Sequence, residues 1–109
     1  MFTVYYHPDA LKEASRLPVV TRAKFDRLVK KLEQDPRLLR EPDTKPLGNG
    51  LFELRTQGKD IARGLWVYQR GNLIIMLRVF VKKSQKISRS ELDMAWSRLE
   101  TIKNEMGES

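Results

Sequence analysis

Hydrophobic positions change their spacing repeatedly along the chain, and each change predicts an element. FTVYY, Phe2 to Tyr6, is aromatic and β-branched and predicts a short strand. His7-Pro8-Asp9 stops it, and Pro8 or Asp9 suits the entry to a helix. Leu11, Ala14 and Leu17 give a short apolar helical stripe that ends at Pro18. From about Val20 a second helix follows, with Phe25, Leu28, Val29 and Leu32 at i, i+3, i+4 and i+7. Arg22, Arg27, Lys30 and Lys31 fill much of its remaining surface. It ends before Asp35-Pro36, because proline disfavours helix at the residue ahead of it. Pro36, Pro42, Pro46, Gly48 and Gly50 make 36–50 a connection, with one helical turn around Leu38-Leu39.

Three strands are then predicted in close order. LFELRT (51–56) alternates, Phe52 and Leu54 on one face, Glu53 and Arg55 on the other. A loop around Gly58 leads to IARGLWVYQ (61–69), with Trp66 and Tyr68 on one face and Arg63, Leu65 and Val67 on the other. Arg70-Gly71-Asn72 supplies a tight hairpin turn. LIIMLRVFV (73–81) is almost continuously apolar, as expected of a strand covered on both sides, and Arg78 interrupts it. Ser88 and Glu91 then form an S-x-x-E capping box, Ser88 accepting from a free backbone amide and Glu91 reaching back. Leu92, Ala95, Trp96, Leu99 and Ile102 repeat at helical spacing. The order β-α-α-β-β-β-α predicts an α+β fold, an antiparallel meander with helices packed on it.

Length makes this one domain, residues 1–109, with 40% apolar content sufficient for a core. Order is expected everywhere except the Gly107-Glu108-Ser109 tail. No run of about 18 apolar residues exists to cross a bilayer, and MFTVYYHPDA lacks the features of a signal peptide. A cytoplasmic protein with no membrane association is expected. The absence of Cys excludes disulfides and thiolate chemistry, and a single His makes a His-based metal cluster implausible.

Charge changes the picture more by its distribution than by its total of +7. Residues 45–90 carry ten Lys and Arg against two Asp and Glu, whereas residues 91–109 carry two against five. A basic sheet face is the footprint of a polyanion, usually nucleic acid, with a solubilising surface as the alternative. The region holds no Gly-rich phosphate loop and no serviceable Ser-His-Asp set. Its cations suit phosphodiester chemistry. Cleaving RNA through its own 2′-OH needs a base, a cation against charge developing on phosphorus, and an acid for the leaving oxygen. Arg clamps phosphate bidentately, and Lys crowded by other cations can act as a base. Arg78 is either a clamp in such a site or the buried partner of Glu53, and Arg63, unless it contacts phosphate, is an unpaired surface cation or itself a partner of Glu53. Trp66 and Tyr68 either stack on bases or belong to the core.

LFELR, then ARGLWVYQRGN, then LRVFVKKSQKIS before a helix with Ala and Trp, resembles the RelE/HigB superfamily of toxins, in particular its phage-derived HigB-like branch. The likeness covers residues from about 47 to 99. It implies a RelE-like, microbial-RNase-like fold with two N-terminal helices and a C-terminal helix on the sheet. It also implies an mRNA endonuclease acting in the ribosomal A site, without a cofactor or metal. A helix-turn-helix antitoxin would neutralise it in a toxin–antitoxin hetero-oligomer. Carried over residue by residue, Arg55, Arg63, Lys82 and Lys83 become the candidate catalytic residues, and Arg78, Lys86 and Lys59 the candidate contacts to RNA or ribosome. Where the family has Thr-Pro after the last lysine, this chain has Ile87-Ser88, and Ser88 keeps the cap. Several relatives carry their candidate acid or base as a His or Tyr near the C-terminus, which this chain lacks. His7, Tyr5 or Tyr6 could replace it only if the first strand ends beside the site. Two other functions fit the same pattern: a ParE-like gyrase inhibitor and a non-catalytic RNA- or ribosome-binding protein.

Overall fold

Five strands form one mixed sheet in the computed structural model, which describes residues 1–107. Glu108 and Ser109, and with them most of the tail expected to be disordered, lie outside the described residues. The strands are β1 (Thr3–Tyr6), β2 (Thr44–Gly48), β3 (Leu51–Arg55), β4 (Ala62–Tyr68) and β5 (Leu73–Val81). The helices are α1 (Pro8–Ser15), α2 (Val19–Gln34) and α3 (Arg89–Glu105), and a 3-10 turn covers Pro36–Leu38. Strand order is β1-β5-β4-β3-β2. The meander β2 to β5 is antiparallel, as expected, whereas β1 adds to β5 in parallel.

β2 lies in the segment expected to be a connection. Asn49 and Gly50 take φ of 57° and 86° between the paired residues Gly48 and Leu51, a two-residue hairpin that requires positive φ at both positions. Pro46 is tolerated because β2 is an edge strand with an irregular register. No helix among the described residues is long and apolar enough to cross a membrane.

The sheet is covered on both faces. Leu54, Ala62, Trp66, Ile74, Met76 and Val79 pack under α1 and α2, and Phe25 and Leu32 of α2 are fully buried there. Leu51, Leu65, Val67, Ile75 and Leu77 pack under Ala95, Leu99 and Ile102 of α3. Trp66 is therefore core, stacked on Phe52 with centroids 4.6 Å apart. The expected cationic sheet face does not exist as an open surface, because helices occupy both sides.

An irregularity in β5 sets the direction of Arg78. Leu65 pairs with Arg78 and Trp66 with Met76, so Leu77 is an extra residue in the strand. Such a bulge puts two successive side chains on one face. Leu77 and Arg78 both turn toward α3, where strict alternation would have sent Arg78 under α1 and α2.

Candidate functional site

β5 ends at Val81, and residues 82–88 fold back over the end of the sheet before α3 begins. The Lys82 amide donates to Ile61 O at 2.6 Å, extending the ladder by one step. Within the loop, Lys82 Nζ donates to Gln85 Oε1 at 3.2 Å and Ser84 Oγ to Lys86 O at 2.8 Å. From beneath, Arg63 Nη2 donates to Gln85 O at 2.8 Å and Ser84 O at 3.4 Å. Arg63 Nε also lies 3.0 Å from Glu53 Oε2, an ion pair without hydrogen-bond alignment. The two side chains are 2% and 1% exposed, so Arg63 is a buried tether for the loop.

The loop divides the end of the sheet into two clefts of about 310 Å³ each. Arg78, Phe80, Lys83, Ser84, Lys86 and Glu91 line one; Lys45, Leu47, Glu53, Gln85, Lys86 and Ile87 line the other. Arg63 borders both. A third, of about 290 Å³, lies between Lys59 and Lys82-Lys83.

Arg78 belongs to a network of four side chains. Its Nε and Nη2 donate to Glu91 Oε1 and Oε2 at 2.6 and 3.2 Å, and its Nη1 donates to Glu13 Oε2. Its guanidinium carbon sits 5.3 Å from the centroid of the Phe80 ring. Arg98 of α3 grips Glu13 with two bonds of 2.8 Å and donates to Leu77 O at 2.9 Å. Glu13 Oε1 also accepts from the Val79 amide at 3.1 Å. Burial pushes the Glu13 carboxyl up, yet the Arg98 and Val79 hydrogen bonds and the charges of Arg78 and Arg98 outweigh it and hold it below the usual carboxylate range. Burial opposes the charge on Arg78 too, and its bonds to Glu91 and Glu13 raise its pKa nonetheless.

A family profile of phage-derived Gp49-like proteins matches residues 12–100. The chain belongs to the Gp49-like family. No curated protein matches this Gp49-like chain by sequence. Among solved structures, a double arginine-to-alanine variant of the E. coli toxin RelE in the free state shares 13% identity with it. The two superpose with a TM-score of 0.61 over 93% of this chain and 96% of that one. The fold is thus that of RelE, and the family profile together with the fold places the Gp49-like chain in the RelE/HigB superfamily, as its signature implied.

The fold gathers some of the candidate residues and separates others. Lys82, Lys83 and Lys86 share the loop, and Lys59 faces the first two across the small cleft. Arg63 sits under the loop, turned away from solvent, and of the two arginines it is the one that pairs with Glu53. Arg78 answers to Glu13 and Glu91 instead. Arg55 lies opposite Arg63 at the end of β3, half-buried, and lines neither 310 Å³ cleft. Only half of the predicted capping box forms: Ser88 Oγ accepts from the Glu91 amide at 3.4 Å, while the Glu91 carboxylate turns to Arg78. Arg89 pairs with Asp93 on the exposed face of α3.

His7, Tyr5 and Tyr6 do not line these clefts. His7 caps α1, its Nδ1 accepting from the Asp9 amide at 3.0 Å, and burial, then the charge of Arg98, lowers its pKa. The Tyr6 hydroxyl is held well above its ordinary pKa by burial and by Asp26 and Glu33. Glu13 and Arg98 lie 65 and 20 residues from Arg78 and carry no motif, so neither stands out in the sequence.

Proposed function

We propose that this protein is the toxin of a type II toxin–antitoxin pair and cleaves mRNA on the ribosome. The observation that carries this reading is the loop 82–88, a set of lysines held by Arg63 at the end of a RelE-type sheet. Lys82 and Lys83 flank the scissile phosphate, as base or as stabiliser of its developing charge. Lys86 and Lys59 bind the neighbouring backbone, and Arg55 contributes charge from the end of β3. Arg63 and Arg78 act as positioning residues, one beneath the loop and one at the start of α3. The substrate's own 2′-OH is the nucleophile, so the chemistry needs no metal or cofactor. A cognate antitoxin, of helix-turn-helix type, neutralises the toxin in a hetero-oligomer.

The test is induced expression of wild type, Lys83→Ala and Arg63→Ala with transcript mapping. Wild type is expected to arrest growth and cut messages. Lys83→Ala, at an exposed position, should lose cleavage by about 100-fold or more with its melting temperature unchanged. Unchanged cleavage in both variants discards the site. Altered DNA supercoiling with intact transcripts would instead indicate a gyrase inhibitor. Tight, salt-sensitive ribosome binding with intact message would indicate a non-catalytic binder.

A further inference from the structure

Three cations of α2 share one flank of the helix. Lys24, Arg27 and Lys31 fall at i, i+3 and i+7, a single flank spanning roughly 10 Å. Asp26 and Glu33 fall on the opposite flank, toward β1, where both act on Tyr6 and Asp26 pairs with Arg22. The Lys24 flank carries no acidic residue of α2, whereas the other flank has the i,i+4 pair expected of a solvated helix surface. The basic flank faces the β3–β4 loop, where Lys24 Nζ donates to Gln57 O at 3.0 Å. Arg27, Lys31, Gln57 and Gly58 line a cleft of about 370 Å³ there.

That cleft reaches the β3–β4 loop, which also borders the small cleft beside the loop 82–88. Gly58 closes the α2 cleft on one side, and the next residue, Lys59, lines the small cleft with Lys82 and Lys83. Lys83 and Ser84 in turn border the cleft above Arg78 and Phe80. Cations therefore stand on both sides of the β3–β4 loop, with Asp43 in the α2 cleft and Asp60 next to Lys59 in the chain. We infer that the basic flank of α2 is the continuation of the candidate site, a rail for the phosphates of an RNA strand that leaves the Lys82-Lys83 cleft. The inference rests on the reading that this cleft engages RNA. It adds where the strand runs and which residues hold it without taking part in chemistry.

Phosphate contacts release counterions, so each one steepens the loss of affinity with salt. The probe is a 2′-O-methyl oligouridine of about 16 nucleotides, the upper length held by single-strand grooves, which binds without being cut. Affinity is measured against salt for wild type, for Arg27→Gln/Lys31→Gln, and for Arg22→Gln/Lys30→Gln. All four positions are exposed, and the two double variants remove the same total charge from the same helix. The first pair should lower the slope of log affinity on log salt by about 1.4, and the second should leave it unchanged. Equal slopes in wild type and the first pair overturn the rail, as does an equal fall in both pairs. Absence of salt-dependent binding by wild type overturns the RNA reading of the cleft as well, which separates the two failures.

Discussion

Arg63 is a buried cation with three oxygen neighbours: the Glu53 carboxylate and the carbonyls of Ser84 and Gln85. Glu53 stands opposite Leu65 and Arg55 opposite Arg63, so Glu53 and Arg63 are diagonal neighbours on one face. That diagonal explains why Glu53 selects Arg63 over Arg78. Both arginines were visible in the sequence as candidates, but choosing between them needs the strand register, which side-chain chemistry does not encode. Arg63→Met is expected to destabilise by about 3 kcal/mol, leaving Glu53 buried without a counter-charge. Adding Glu53→Leu should recover most of that loss in denaturant unfolding, because a buried pair replaced by apolar groups is often neutral. Cleavage should not return with stability, since neither Met nor Leu can tether Ser84 and Gln85. Recovery of both together would leave Arg63 no positioning role.

At the scale of elements, the pattern of apolar positions was a good guide wherever an element has two distinct faces. α2, α3 and the three strands from Leu51 onward lie within a residue or two of where periodicity puts them. β2 is hidden because Pro46 and Gly48 lie among the other prolines and glycines of 36–50 and suggest a connection, although Asn49-Gly50 is itself a hairpin signal. The β5 bulge was missed for a different reason. An almost continuously apolar strand looks the same with or without an inserted residue. Gly64 also became meaningful only in three dimensions. A Cβ there would lie 2.7 Å from the Phe25 ring and 2.8 Å from the Met76 sulfur, so β4 lets α2 approach closely at this point. Gly64→Ala should cost about 1–3 kcal/mol in thermal unfolding. Phe25→Leu in the same chain should cost less than it does alone, because the methyl group then fills part of the space the ring vacates.

For the molecule as a whole, the network around Glu13 ties α1, β5 and α3 into one arrangement. Nothing in the local sequence announces it, since Glu13 sits at an ordinary polar position of a short amphipathic helix. Its pH signature follows from the depressed carboxyl. As pH falls through the unfolded value of about 4.3, the unfolded chain takes up the proton first. Stability carried by Glu13 is therefore complete above that value and is lost as pH falls through the lower folded pKa. Denaturant midpoints measured across that range should fall more steeply for wild type than for Glu13→Gln. The variant should be less stable at neutral pH, with Arg78 and Arg98 left short of a counter-charge. Parallel curves for the two proteins would remove Glu13 from the acid limb.

Glu13 and Arg98 have one more consequence. β1 stops at Tyr6, opposite Met76, so β5 runs on with no neighbouring strand along that border. Its last residues belong to the most apolar strand of the chain, and an open border of that kind is a template on which other copies can add. Glu13 takes the Val79 amide and Arg98 takes the Leu77 carbonyl, the groups an incoming chain would need. The partly buried charges thus also serve as a seal against self-association, and losing them should leave the protein prone to aggregate.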